Sequence, residues 1–190
     1  MKRRAWSCGV VAAALGAAGA VSAAPATYVL DAERSFVHFE VVHFGASTIR
    51  GRFGPAQGSV LLDRGAGRAE ADVRVPTASV DTGVRPFDAR LRRDDLLAST
   101  AHPEAFFVAR QGRFEGARLV ELRGEFTVRG TSQPLTLRAL HFACRTDAGG
   151  ETCGGDFEAE LLRSSIGATF GLPFVADRVR LLVQVEGRRR

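Results

Sequence analysis

"FVHFEVVHF", residues 36–44, is mostly apolar, yet it carries two histidines five places apart. Successive side chains of an extended strand point to opposite faces. Val37, Phe39, Val41 and His43 then share one face, and Phe36, His38, Glu40, Val42 and Phe44 share the other. His38 and His43 point apart and cannot hold one metal ion unless a bulge intervenes. The stretch therefore reads as a wall, apolar on one side, with His43 a polar group at its rim.

The pattern recurs along the chain. Short runs at 27–31, 48–53, 58–63 and 69–75 precede a break, and runs at 105–114, 117–130, 134–144, 155–163 and 178–187 follow it. Ala71, Val73 and Val75 alternate with Glu70, Asp72 and Arg74; Leu122, Phe126 and Val128 oppose Arg123, Glu125 and Arg129. Leu135, Leu137 and Ala139 oppose Thr136 and Arg138, and Phe157, Ala159 and Leu161 oppose Glu158 and Glu160. In the last run Val179, Leu181, Val183 and Val185 oppose Arg180, Gln184 and Glu186. Gly, Pro and Asp punctuate these runs at the spacing of an antiparallel sandwich or barrel. One-sided strands must close on themselves or pack on a partner, and this pattern over about eight strands predicts an all-β barrel. Such a barrel is filled by side chains or holds one small ligand. Periodicity does not choose between the two, although Ala71, Ala139 and Ala159 suggest internal room.

The break, "RPFDARLRRDDLLASTAHPEAFF" (85–107), loses the alternation. Phe87 and Leu91 fall at helical spacing, and Asp88 sits four before Arg92, the favourable order for a helical ion pair. Pro86 suits a first turn and Pro103 forbids continuation. One short helix is predicted over 86–97, as a cap on one end of the barrel or a lid over a pocket.

Residues 1–24 have the layout of a secretory signal: Lys2, Arg3 and Arg4, an apolar stretch to about Val21, then "VSAA", with cleavage near Ala23 or Ala24. This leader holds three basic residues and no acids, more than half of the net charge of +5. Every later basic residue is arginine, spread out apart from the tail "RRR" at 188–190. That tail reads as a solvated terminus or, less simply, as a tag for an anionic membrane surface. No basic stripe suggests nucleic acid. Cys144 and Cys153, in "CRTDAGGETC", span a Gly-rich turn and in an exported protein read as a disulfide closing a hairpin. His141 faces the other way from Cys144 on a strand, so no metal site is assigned.

Catalytic vocabulary is thin. The chain has no GxSxG, P-loop, Rossmann glycine pattern or HExxH, and its histidines (38, 43, 102, 141) form no ligand pair. Asp94 and Asp95 suit a helix surface better than an acid/base dyad. No catalytic residue and no required cofactor is assigned.

The ordered set of motifs resembles the YceI-like family of exported lipid- and polyisoprenoid-binding proteins. The likeness begins at "YVLDAERSFVHFEVVHFGASTIRGRF" and continues through "ASVDTG", "FDARLRRDDLLASTAHPEAFF" and "LRGEFTVRGTSQPLTL". It closes with "CGGDFEAELLRSSIG" and "VRLLVQVEG". Asp88, Leu91, Arg92, Asp95 and Leu97 match the family's central signature, while Arg90 and Leu96 stand where it usually has histidine and phenylalanine. The resemblance implies an extended eight-stranded antiparallel, lipocalin-like barrel over 27–187, a periplasmic setting, and an isoprenoid tail in the interior. Val37, Phe39, Val41, Val73, Val75, Phe126, Val128, Leu135, Leu137, Phe157, Leu181 and Val183 are the expected ligand-binding wall. Arg92, by charge, and His43, by family position, are candidate partners for a polar head group. For Arg92 the competing role is an ion pair with Asp88 or Asp95 that pins the helix.

An isoprenoid lipid or quinone-like molecule suits such an interior: burial of ~10 carbons at ~0.8 kcal/mol each supplies roughly 8 kcal/mol, about micromolar affinity before ordering costs. The alternatives are a filled, partner-binding barrel and an enzyme acting on such a lipid with His43 as acid/base. Transient membrane contact and a homodimer stay open.

Overall fold

The structure, a computed structural model, describes residues 24–190, so the predicted leader lies outside the described residues but for Ala24. The alternating runs become ten antiparallel strands: β1 Ala26–Leu30, β2 Phe36–His43, β3 Ser47–Phe53, β4 Gln57–Asp63 and β5 Arg68–Pro76 precede the break. After helix α1, Arg85–Leu91, come β6 Glu104–Glu115, β7 Arg118–Val128, β8 Thr131–Asp147, β9 Gly150–Leu162 and β10 Val175–Arg189.

Strands β1, β4, β5, β6, β7, β8, β9 and β10 pair in that order, and β10 returns to β1. This is the closed eight-stranded antiparallel barrel that the alternation and the resemblance predict. The long β10 serves two neighbours on one edge: Val175–Gln184 pair with β2, and Gly187–Arg189 with β1. β1 and β2 thus form one wall interrupted at 31–35, and β4 and β3 form its neighbour, interrupted at 54–56. Past the pair Gln57↔Arg74 the wall parts, because β3 ladders with β2 and otherwise meets only the single bridge Arg52↔Asp81 among the described residues. The segment 77–103, including α1, occupies that end of the barrel between β3 and β5.

The inward faces meet in a main apolar core containing Phe39, Val41, Ala71, Leu122, Leu135, Leu137, Phe157 and Leu181, with a smaller cluster of Val75, Ala105, Val128, Ile166 and Ala168 beside it. Outside, the charged faces pair across strands; Arg180 of β10 reaches Glu158 of β9 at 2.9 Å and Glu40 of β2 at 3.4 Å. Half-exposed pairs of this kind contribute about 0–1 kcal/mol each. They account for the polar half of the alternation rather than for stability.

The helix is shorter than predicted, ending at Leu91 rather than residue 97. Nor does Asp88 pair with Arg92. The Asp88 carboxylate accepts hydrogen bonds from the Thr82 amide (2.8 Å) and hydroxyl (2.7 Å). Arg92 donates to the carbonyls of Ala78 (2.8 Å) and Val80 (2.9 Å). Asp95 pairs instead with Arg90. After the helix the chain folds back, with the Leu97 amide donating to Leu91 (3.0 Å) and Ala98 at φ 49°. A helical ion pair is worth only ~0.3–0.5 kcal/mol, less than the guanidinium's bonds to carbonyls and the burial of Leu96 and Leu97 against the barrel.

Candidate ligand-binding cavity

Inside the barrel lies an almost wholly apolar cavity of about 220 Å³. All twelve apolar positions expected of the wall line it: Val37, Phe39, Val41, Val73, Val75, Phe126, Val128, Leu135, Leu137, Phe157, Leu181 and Val183. Parity along the strands places them. Sequence reasoning passed over Tyr28, Leu30, Phe53 and Phe107, which follow the same parity and also line the cavity. Leu91, Leu96 and Leu97 line it from the inserted segment; helical spacing marked Leu91, but no periodicity marks Leu96 and Leu97.

The two polar candidates are placed elsewhere. Arg92 does not line the cavity; its guanidinium is engaged by the carbonyls of Ala78 and Val80, and neither predicted carboxylate partner meets it. His43 also lies off the lining, its ring edge-on to Phe44 at 4.4 Å. Phe44 in turn packs on Phe174 at 5.4 Å. With Phe170 and Phe87, these residues leave four phenylalanines exposed at the helix end, and the Arg90 guanidinium sits 3.6 Å over Phe170.

A polar residue that sequence reasoning missed does reach the cavity. Arg163, just past β9, is 6% exposed and lines it. Its Nε donates to Ala176 (2.9 Å), Nη1 to Ala168 (2.6 Å) and Phe170 (2.7 Å), and Nη2 to Val175 (2.7 Å), all backbone carbonyls. Burial pulls its pKa below the usual arginine value, opposed by the charge of Asp177. The Asp177 carboxylate is taken by Ser164, whose hydroxyl (2.6 Å) and amide (2.8 Å) hold its pKa below the ordinary range. The signal for Arg163 was parity: it continues the inward series Phe157, Ala159, Leu161.

The opposite end is covalently tied. The predicted Cys144–Cys153 disulfide joins β8 to β9, and Cys153 lines the cavity beside Tyr28. Arg64 donates to Glu151 at 3.0 Å and stands 2.6 and 3.0 Å from the two sulfurs. Cys144, Glu151 and Cys153 bring donor atoms together, but both sulfurs are spent in the disulfide and Arg64 opposes a cation. Burial, then the hydrogen bond with Glu151, pushes the Tyr28 hydroxyl up.

Residues 28–187 match the model of the YceI-like domain. "Protein YceI" of Shigella flexneri is 31% identical over 170 residues, covering 87% of this chain and 88% of that protein. A UPF0312 protein of Pseudomonas aeruginosa is 32% identical over 187 residues, covering 95% and 97%. In fold, the chain is similar to Burkholderia cenocepacia BcnA, with TM-score 0.71 and 19% identity over 83% of this chain and 98% of the other. It is also similar to a polyisoprenoid-binding domain of Saccharophagus degradans implicated in plant cell wall breakdown, with TM-score 0.64 and 18% identity over 86% and 98%.

Proposed function

The chain belongs to the YceI-like family, and from that premise we propose that it is a periplasmic binding and carrier protein for an amphiphile with an isoprenoid tail, a polyprenyl lipid or quinone precursor. The observation that carries this reading is the apolar cavity. A well-packed interior leaves few voids larger than a water molecule, and this barrel keeps about 220 Å³ open along walls of Val, Leu and Phe. The twelve lining positions would contact the tail, while Arg92 and His43 support the rim. The wall offers no nucleophile–base pair, and no turnover is proposed. Loading and release occur at a lipid surface, for which the exposed Phe44, Phe87, Phe170 and Phe174 supply an apolar face at the helix end.

Native mass spectrometry of the mature protein taken from the periplasm, followed by organic extraction, tests the reading. The expected result is a one-to-one complex with an isoprenoid mass. A bare protein that also ignores added quinones and polyprenols overturns it and favours a partner-binding barrel.

A further inference from the structure

A guanidinium carries five N–H donors. Arg163 spends four of them on the carbonyls of Ala168, Phe170, Val175 and Ala176, which leaves one Nη2 proton without an acceptor among the described residues. Carbonyl oxygens satisfy hydrogen bonds but do not cancel a charge. No carboxylate among the described residues hydrogen-bonds Arg163: Asp177, whose charge acts on it through space, is turned to Ser164. A buried charge is costly unless paired, yet this one forms part of the cavity wall, where the other arginine, Arg74, is exposed and engaged by Gln57 (3.2 Å) and Glu104 (3.7 Å). Thr77 also lines the cavity, and its hydroxyl donates to the His102 carbonyl at 2.7 Å.

We propose that Arg163 is the head-group anchor of the cavity, receiving an oxyanion (a carboxylate or phosphate) at the end of an apolar-tailed ligand. This rests on the carrier reading above and names its ligand class as acidic amphiphiles rather than neutral alcohols. The tail fills the barrel between Phe39, Leu137, Phe157 and Leu181, and the head lies at the end where the short 3-10 helix Arg163–Ile166 meets the 77–103 segment, Leu96 packing on the cluster that holds Ile166 and Ala168. A bidentate fork is not needed. One charge-assisted hydrogen bond to an oxygen that also neutralises the guanidinium is sufficient for discrimination. The carbonyl cradle fixes the guanidinium in advance, so ligand binding does not have to order it.

The test uses ligands with one tail and different heads: geranylgeraniol, geranylgeranoic acid, its methyl ester and geranylgeranyl phosphate. Affinities are read by displacement of a fluorescent apolar probe from the mature protein. Wild type is expected to bind the acid and the phosphate about tenfold or more tighter than the alcohol and the ester. Arg163→Gln is expected to bring all four to the alcohol's affinity, and Arg163→Lys to keep part of the preference. The wild-type series stands alone if the glutamine variant does not fold. Equal binding of all four by wild type overturns the anchor and leaves the carrier reading intact, whereas binding of none overturns both. Preference for the acid over the phosphate, or the reverse, separates a fatty-acid-like cargo from a lipid phosphate within the supported class.

Discussion

Phe39 occupies the space that a side chain at residue 51 would need: a Cβ on Gly51 would stand 2.5 Å from Phe39 Cζ and 3.0 Å from the Asp81 carbonyl. The two residues are register partners in β2 and β3. Glycine here lets the ring lie over the neighbouring strand and still face the cavity. Gly51→Val forces the ring away from its rotamer. Overpacking of this kind costs typically 1–3 kcal/mol, so a lowered melting temperature is expected together with weaker tail binding, because Phe39 is a wall residue. Gly67→Val, at a position with open space around it, tests whether the contact matters: it meets backbone strain alone and should leave tail binding unchanged.

Arg92 holds the inserted segment, and its loss should be felt there. Val80 is 1% exposed, so its carbonyl has no water to turn to when the guanidinium is removed. An unsatisfied buried acceptor costs about 1–3 kcal/mol. Arg92→Ala is expected to lower the melting temperature and speed hydrogen exchange across 77–103, with head-group preference unchanged. A lost preference without loss of stability would return Arg92 to the ligand site.

The wall was legible because each strand buries one face, so polarity at every second residue reports the interior directly. The eight-stranded closure was legible as a necessity, but its manner was not. The interruptions at 31–35 and 54–56 were marked by Asp31 and by Gly54-Pro55, but that β10 serves β1 and β2 in succession is a matter of long-range pairing that no local propensity specifies. The end of α1 was misread because Asp88 and Arg92 each found partners distant from the helical pairing, at Thr82 and at Val80. Arg163 was passed over for a different reason. Its parity was inward, but an arginine is ordinarily outside, and the carbonyl cradle that satisfies it comes from a loop whose path is not encoded in any periodicity.

The disulfide ties β8 to β9 across a separation of nine residues. For so short a loop the chain-entropy account gives roughly 2–3 kcal/mol, or a fall in melting temperature of about 4–12 °C on reduction. Cys144→Ser with Cys153→Ser should reproduce the reduced protein. A mass gain of about two hydrogens on reduction, measured beside the melt, links the shift to the bond. No change in the melt would show that the hairpin turn already supplies the constraint.

Acid should loosen the helix end first. Hydrogen bonds from the Thr82 side chain and backbone hold the Asp88 carboxyl below its usual range, Ser164 does the same for Asp177, and Arg90 does so for Asp95. A depressed folded pKa means that the unfolded chain takes up the proton more readily. The stabilisation is therefore complete above the unfolded value of about 3.9 and is lost as pH falls through the folded values. Asp88 and Asp95 secure the inserted segment, and Asp177 secures the turn beside Arg163. As pH falls below about 4, hydrogen exchange at 82–98 and 163–177 is expected to rise before that of β6 to β8. Thr82→Ala and Ser164→Ala should flatten that dependence, each in its own segment.

The cavity itself can be filled. Ala71 of β5 is buried, lines the cavity, and lies between Val60 and Ala109 in register. A phenylalanine there projects into open volume rather than into packed neighbours, so the usual overpacking penalty of about 1–3 kcal/mol is partly offset by new contacts. Ala71→Phe is expected to keep the fold, with a melting temperature near that of wild type, while tail affinity falls about tenfold or more as room for several carbons is lost. Leu137→Ala acts in the opposite sense: it enlarges the cavity, costs about 2–5 kcal/mol in the empty protein, and should regain part of that when a bulky tail fills the space. Isothermal titration with one polyprenol separates the outcomes. Reciprocal effects of the two variants place the tail between β5 and β8, whereas unchanged affinity in both would move binding out of the barrel to the exposed phenylalanines of the helix end.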